Sequence, residues 1–159
     1  MIKFNLSMLD KNLKMRLLAS SSQLGITDCK KGLKLIATKA DFARVERTED
    51  ALTVYYTKVY EFFYGVKTYL AFPDKVPFDI NCAFGEFGVM LDCSRNAVRT
   101  VDTLKAFIDN LALMGYNQLQ LYTEDTYEID GEPYFGYQRG RYTREEIKEI
   151  DAYARGYDI

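Results

Sequence analysis

Two short clusters of charged side chains are the residues of this sequence best suited to chemistry. Asp92 and Arg95 form the first cluster, and Glu124 and Asp125 form the second. Carboxylates accept hydrogen bonds from hydroxyl groups, and the planar fork of donors on arginine suits vicinal hydroxyls or an orienting carboxylate. These four side chains could therefore line a polar binding site.

Both clusters follow predicted strands of one strand, helix, strand unit over residues 87–127. Residues 89–91 form an apolar run without polar alternation, which is typical of a strand covered on both faces. Apolar residues then recur at helical spacing from Val98 and end at Gly115, and residues 118–121 alternate as a second strand. Parallel strands joined by a right-handed crossover bring their carboxyl ends to one edge of a sheet, where α/β proteins build their sites.

Three segments carry a family resemblance, namely GVMLDCSRNAV at 88–98, MGYNQLQLYTEDTYE at 114–128 and PYFGYQRGRYT at 133–143. They resemble the opening of the catalytic barrel of family 20 glycoside hydrolases, the β-N-acetylhexosaminidases, and most of all a bacterial branch that releases terminal N-acetylglucosamine. The resemblance covers residues 84–155. It implies an α/β fold in which a small N-terminal α+β domain precedes the beginning of a (β/α)8 TIM barrel that is incomplete in this chain.

The resemblance also implies a reaction. In this family the substrate's own acetamido oxygen attacks the anomeric carbon, with retention, and an Asp-Glu pair after the fourth barrel strand orients that group and serves as acid and base. No Asp-Glu dipeptide occurs in the 159 residues. We therefore expect an N-terminal fragment of a hexosaminidase that holds no catalytic residue and is inactive alone. We expect an N-acetylglucosamine-terminated glycan as the substrate of the longer protein, and neither a cofactor nor a metal ion.

The remaining candidates are substrate-binding residues by the same resemblance. Glu124 and Asp125 match the acidic pair after the second barrel strand, so we interpret them as pocket lining rather than surface charge. Many family members begin the first strand with Arg-Gly, whose arginine binds hydroxyls of the terminal sugar, but Phe87 stands at that position here. Arg95 is the nearest replacement, and Asp92 lies beside it. The alternative is an ion pair of Arg95 with Asp92 or Glu124 that only ties the strand ends together.

The composition excludes several classes of protein. The absence of histidine removes Ser-His-Asp and Cys-His catalysis and the usual zinc sites. A net charge of −2, with 21 basic and 23 acidic residues, argues against nucleic-acid binding. Cys29, Cys82 and Cys93 are too widely spaced for a disulfide framework, so we expect three buried thiols in a cytoplasmic protein. The N-terminus resembles neither a signal peptide nor a membrane span, so no membrane partner is expected.

The first 80 residues predict a small non-catalytic α+β domain with an antiparallel sheet. The pattern indicates an amphipathic helix over 7–22, an aromatic-rich helix over 60–72, and strands over 33–37, 43–47 and 52–57. The last two strands should form a hairpin, and both helices should pack on the core rather than contact a membrane or bind sugar. Pro73 and Pro77 put the boundary there or within the next ten residues, which gives domains of residues 1–80 and 81–159.

The C-terminal part predicts a loop followed by a helix. Residues 129–141 are punctuated by glycine and fit the rim of an active site. Thr143 and Glu146 have the spacing of a capping box at the start of the next helix. Asn96 is interpreted as an N-cap rather than a ligand. Residues 157–159 resemble the start of a third strand, so we expect a longer polypeptide.

An incomplete barrel has a consequence for association. The outer edge of its second strand should remain unpaired, which favours self-association into a homo-oligomer or a loosely held barrel segment. The alternative to a hydrolase fragment is a non-enzymatic α/β module that binds a carbohydrate or a protein through the surface left by the missing strands.

Overall fold

The computed structural model describes residues 1–95 and 97–159, so the predicted N-cap Asn96 lies outside the described residues. The chain is an α/β protein that divides into two compact units. The first unit comprises residues 1–85 and 113–115, and the second comprises 86–112 and 116–159.

The first unit is built on a six-stranded mixed sheet. Its elements are β1 Ile2–Asn5, α1 Lys11–Ala19, α2 Ser21–Leu24, β2 Ile26–Asp28, β3 Leu33–Lys39, β4 Arg44–Arg47, β5 Ala51–Tyr56, α3 Val59–Ala71 and β6 Phe78–Asp79. The strand order is β2-β1-β3-β5-β4-β6. The predicted hairpin of β4 and β5 is confirmed, since these strands pair antiparallel.

The prediction of an antiparallel sheet is wrong. β1 pairs in parallel with both β2 and β3, and β3 pairs in parallel with β5. The sequence pattern missed β1 and β2 because they are only four and three residues long, too short to show an alternation. Once both strands exist, α1 and α2 become the crossover that parallel pairing requires.

The predicted helix over 7–22 is in fact two helices. α1 begins at Lys11 because the side chain of Asp10 accepts hydrogen bonds from the N–H groups of Asn12 and Leu13, at 2.8 and 3.0 Å, and so acts as the N-cap. The short α2 ends at Gly25, whose φ of 65° is left-handed.

The aromatic-rich helix α3 packs on the sheet, as predicted. Phe62, Phe63 and Tyr69 are buried. Close approach requires Gly65, because a Cβ there would lie only 3.0 and 3.1 Å from methyl carbons of Val45 and Val54. The aromatic residues of this helix therefore serve the core of the first unit.

The second unit contains the predicted strand, helix, strand motif. Its elements are β7 Gly88–Asp92, α4 Val101–Met114, β8 Gln118–Tyr122 and α5 Arg144–Arg155. β7 and β8 pair in parallel from Gly88 opposite Gln118 to Asp92 opposite Tyr122, which confirms the motif. α4 begins three residues later than Val98 and ends before Gly115, whose φ is +79°.

Only one face of the β7–β8 sheet is covered. Leu119 and Leu121 line a cavity of about 180 Å³ together with Ile147 and Ile150 of α5. On the opposite face the Met90 side chain is 59% exposed, so the prediction that β7 is covered on both faces is wrong. Gln120, opposite Met90 on the same face, is exposed as well, so within the described part of the chain this face of the two-stranded sheet is open.

Helices α4 and α5 share a cluster of polar contacts. One carboxylate oxygen of Asp109 accepts hydrogen bonds from the hydroxyls of Tyr153 and Tyr157, at 2.7 and 2.5 Å. Lys105 forms an ion pair of 2.5 Å with Glu149. These contacts join α4 to α5 and to the turn that follows it, and Tyr157 in that turn is almost fully buried.

The ends of α5 give one confirmation and one correction. The capping box is present, because the Thr143 hydroxyl accepts the N–H of Glu146 at 3.2 Å and the Glu146 carboxylate accepts the N–H of Thr143 at 2.8 Å. Residues 157–159 form a turn rather than a strand. The N–H groups of Tyr157 and Asp158 close this turn by donating to the carbonyls three residues earlier, those of Ala154 and Arg155.

The three cysteines are all free thiols, but they are not all buried. Cys93 is buried, as predicted, whereas Cys29 is half-buried and Cys82 is exposed. Cys82 lies in a segment without regular secondary structure, so no layer covers it.

Candidate functional site

The predicted site residues lie where the rule for parallel strands puts them, at the carboxyl ends of β7 and β8. Asp92 is the last residue of β7 and stands opposite Tyr122, the last residue of β8. Side chains alternate along a strand, so these two residues share a face with Met90 and Gln120. This is the exposed face of the sheet, and the candidate site is the polar end of it.

The carboxylate of Asp92 mainly stabilises the turn that follows β7. Its Oδ1 accepts hydrogen bonds from the hydroxyl of Ser94 at 2.7 Å, the N–H of Ser94 at 2.8 Å and the N–H of Arg95 at 3.2 Å. These bonds, led by the Ser94 hydroxyl, lower the pKa of Asp92 below its ordinary value. The carboxylate therefore stays ionised and fixes the chain direction after β7.

Arg95 is open to solvent beside this turn. Its side chain is 74% exposed, and its Nε lies 4.0 Å from Oδ2 of Asp92. Its guanidinium carbon is 5.9 Å from the centre of the Tyr122 ring. The structure thus gives Arg95 a loose ion pair with Asp92, and within the described residues it shows no ion pair with Glu124. The donors that do not face Asp92 remain free to meet a ligand.

Glu124 lies in a strained turn after β8. Its φ of 48° is left-handed, which costs a residue with a Cβ about 1–2 kcal/mol. The buried Thr126 holds the turn, because its hydroxyl and its N–H both donate to the carbonyl of Thr123, at 2.6 and 3.0 Å. The hydroxyl of Tyr122 donates to Oε1 of Glu124 at 2.9 Å, and this bond to a carboxylate raises the pKa of Tyr122.

Asp125 is held by the loop over residues 129–141, which we call the rim loop. Arg139 Nη1 lies 2.9 Å from Asp125 Oδ1, which is close enough for an ion pair. The two groups are not aligned for a hydrogen bond, however, and Oδ1 is shielded from solvent and receives no hydrogen bond within the described part of the chain. The Asp125 side chain as a whole is nevertheless 39% exposed, so its carboxylate can still accept a hydrogen bond from a ligand hydroxyl.

Gly136 presses the rim loop against the backbone of Asp125. Its φ is +61°, and a Cβ there would lie 1.9 Å from the carbonyl oxygen of Asp125. Arg141 further fixes the loop by donating to the carbonyl of Phe135 and by an ion pair of 3.7 Å with Glu128. Only glycine fits this contact, so the position of Asp125 depends on the backbone of the loop.

Tyr142 anchors the far end of the rim loop in the core. It forms a parallel bridge with Tyr127, and its hydroxyl lies 3.8 Å from the buried thiol of Cys93. Burial, and then the contact with the thiol, raises the pKa of Tyr142 above its ordinary value. Cys93 thus has a packing role next to the site.

Phe87 has a structural role at the opposite end of β7. Its ring stacks on Tyr116 with the centroids 4.1 Å apart, and its N–H donates to the side chain of Asn117 at 2.7 Å. Its side chain is accordingly engaged at the amino end of the strand, away from the edge that carries Asp92 and Asp125.

A groove of about 450 Å³ lies on another side of the rim loop. Tyr127, Ile129, Tyr142 and Ile147 are among its lining residues. None of Asp92, Arg95, Glu124 and Asp125 lines it. The predicted site is therefore not this groove but an open edge of the sheet, and cavity volume alone would not have identified it.

Sequence reasoning missed three residues of this edge, namely Tyr122, Ser94 and Arg139. Strand alternation could have found Tyr122, since it lies two residues before Glu124 on the face of Asp92. No local signal could have found Arg139, because its contact depends on the path of the rim loop. Among residues 1–95 and 97–159, no group of three or more His, Cys, Asp or Glu residues could hold a metal ion, and no helix is long and apolar enough to cross a membrane.

Comparisons with known proteins support the fold. No protein-family profile matches the sequence, and no curated protein matches it. Among solved structures, the chain is similar to the GH20 exo β-N-acetylglucosaminidase of Vibrio harveyi, with a TM-score of 0.72 and 17% identity over 99% of this chain and 31% of that one. It is also similar to the N-acetyl-β-hexosaminidase of Streptomyces plicatus, with a TM-score of 0.67 and 21% identity over 99% of this chain and 40% of that one. A third similar structure is the β-N-acetylhexosaminidase of Bacteroides fragilis, with a TM-score of 0.65 and 19% identity over 99% of this chain and 38% of that one.

These solved structures are glycoside hydrolases, and the present chain spans between 31% and 40% of their length. At such low identity the likeness establishes the fold. The chain accordingly has the fold of part of a family 20 enzyme, with an N-terminal α/β unit followed by the beginning of a barrel. The structural likeness agrees with the fold that the sequence motifs imply.

Proposed function

We propose that this chain is the N-terminal part of a β-N-acetylhexosaminidase that releases terminal N-acetylglucosamine from glycans. The observation that supports it most is that residues 84–155 carry both the sequence motifs and part of a structural likeness that spans 99% of the chain. In this proposal residues 1–80 are a non-catalytic domain, and residues 81–159 supply the first two strands of the barrel. The protein is cytoplasmic, in keeping with its three free cysteines.

The proposed reaction retains the anomeric configuration and is assisted by the substrate. Its catalytic Asp-Glu pair lies outside the 159 residues, which contain no such dipeptide. This chain contributes to the pocket of the terminal sugar. Asp125, whose side chain is 39% exposed, accepts a hydroxyl of the sugar, and the exposed Arg95 guanidinium binds a further hydroxyl. Asp92 and Glu124 complete the polar edge.

The experiment is kinetic and uses the longer polypeptide that contains this chain. Asp125→Asn should lower kcat/KM for 4-nitrophenyl N-acetyl-β-glucosaminide, because the hydrogen bond from the sugar to the carboxylate is weakened. The loss should correspond to about 1–3 kcal/mol of transition-state stabilisation. Asp130→Asn is the matched control, since Asp130 is an acid of the neighbouring rim loop whose side chain is 91% exposed. It should leave kcat/KM unchanged.

Arg95 is tested in the same way. Arg95→Gln should lower kcat/KM, whereas Arg144→Gln should not, since Arg144 is also exposed but pairs with Asp130 away from the sheet edge. Equal losses in the paired variants would contradict the assignment of the site. If no gene product that contains this chain hydrolyses the substrate, the proposed function is wrong, and a non-enzymatic carbohydrate- or protein-binding module is the better interpretation.

A further inference from the structure

The rim loop presents two tyrosine rings to solvent. Tyr134 is 81% exposed and Tyr137 is 60% exposed. Their rings meet edge to face, with the centroids 5.9 Å apart and the planes at 85°. The side chain of Gln138 donates a hydrogen bond of 2.8 Å to the hydroxyl of Tyr137. The two rings therefore have a defined mutual geometry although water reaches both of them.

The loop that carries these rings is fixed to the candidate sugar site. Tyr137 directly follows Gly136, whose backbone lies against the carbonyl of Asp125. Arg139, two residues further on, forms the ion pair with the Asp125 side chain. On the other side of Gly136, the ring of Phe135 packs against Tyr127 at 5.4 Å. The backbone that carries the two tyrosines is thus held next to Asp125 by its neighbours in the loop.

Exposed aromatic rings next to a polar site are suited to a ligand that is apolar on one face and polar at its rim. A pyranose ring has this character, because its C–H groups gather on one face while its hydroxyls project around the edge. Gln138 and the tyrosine hydroxyls can form hydrogen bonds with such hydroxyls. A second sugar ring, linked to one that binds at Asp125, fits these groups.

We propose that Tyr134 and Tyr137 form a platform for the sugar on the leaving-group side of the scissile bond. This inference rests on the proposed function and narrows its substrate class. The preferred substrates are oligosaccharides whose terminal N-acetylglucosamine is followed by another pyranose, rather than glycosides of small alcohols. The platform stacks on the second ring, while Asp125 and Arg95 hold the first.

The test compares two substrates in the longer polypeptide that contains this chain. N,N′-diacetylchitobiose carries a second pyranose, and methyl N-acetyl-β-glucosaminide does not. Tyr137→Ala and Tyr134→Ala should each lower kcat/KM for the disaccharide by about three- to tenfold and leave the methyl glycoside within twofold. Tyr137→Phe, which keeps the ring, should retain at least half of the disaccharide activity. Phe42→Ala, which removes an exposed ring from the first unit, should change neither substrate.

Equal losses on both substrates, or no loss on either, would overturn the platform while leaving the proposed function intact. Hydrolysis of neither substrate by the unmodified protein would overturn the proposed function, and the platform is then decided by binding. In that measurement the aromatic NMR signals of Tyr134 and Tyr137 are followed in the 159-residue chain during titration with the disaccharide and with N-acetylglucosamine. Shifts confined to the disaccharide support the platform, and no shift, or equal shifts with both sugars, refutes it.

Discussion

Replacing Gly136 by alanine tests whether the rim loop is seated on the backbone of Asp125. A Cβ at residue 136 would lie 1.9 Å from the Asp125 carbonyl oxygen, and the φ of +61° is one that side chains rarely adopt. The left-handed backbone alone costs an alanine about 1–2 kcal/mol. Relief of the clash requires displacement of main-chain atoms, which adds about 1–3 kcal/mol, as overpacking typically does. We expect Gly136→Ala to lower the free energy of unfolding by about 2–5 kcal/mol.

Gly131→Ala is the matched control in the same loop. Gly131 also has a positive φ, of +84°, but a Cβ there meets no atom within 4 Å. This variant should therefore lose only the backbone cost of about 1–2 kcal/mol. Urea denaturation followed by circular dichroism measures both losses, and limited proteolysis reports whether the loop has detached. Equal stability and equal cleavage of the two variants would show that Gly136 makes no such contact in solution.

Three further predictions concern the chain by itself. The 159-residue protein should not hydrolyse 4-nitrophenyl N-acetyl-β-glucosaminide, and its mass by light scattering should rise with concentration; turnover that disappears in Asp125→Asn would contradict this. The Ser94 hydroxyl holds the pKa of Asp92 in the folded chain below its ordinary value of 3.8. The ionised carboxylate therefore stabilises the folded chain fully above pH 3.8, and this stabilisation is lost as the pH falls through the pKa that Asp92 has in the folded chain. Asp92→Asn should therefore show a smaller fall in Tm than the native chain between about pH 5 and about pH 2. Thr143→Ala should cost about 1 kcal/mol in chemical denaturation by removing the cap that pairs with Glu146, whereas Thr143→Ser should be nearly neutral.

The parts of the fold that could be predicted are those whose hydrophobic residues recur with a clear period along the sequence. The strand, helix, strand unit shows a change from a continuous apolar run to helical spacing and then to alternation, and the parallel pairing of β7 and β8 follows from the helix between them. The mixed sheet of the first unit could not be predicted, because β1 and β2 are too short for any pattern. Whether a strand is covered on both faces also depends on other elements that pack on the sheet, and the sequence of the strand does not reveal these.

The candidate site divides in the same way. Asp92 and Asp125 could be assigned to one edge of the sheet because parallel strands share that edge. The partners of Asp125 could not be assigned, because Arg139 reaches it through a loop whose path turns on one positive φ at Gly136. The hydrogen bonds from Ser94 to Asp92 could not be predicted either, because they depend on the backbone geometry after the strand rather than on residue spacing.

The paired hydrogen bonds at Asp109 have a consequence for how the second unit opens. Tyr153 on α5 and Tyr157 in the turn that follows α5 donate to the same carboxylate oxygen of Asp109 on α4. A shift of α5 along α4 by one turn would break both hydrogen bonds at once, so the pair of bonds fixes the axial register of the two helices. The amide hydrogens of α4 and α5 should consequently exchange with solvent in a single cooperative opening rather than helix by helix.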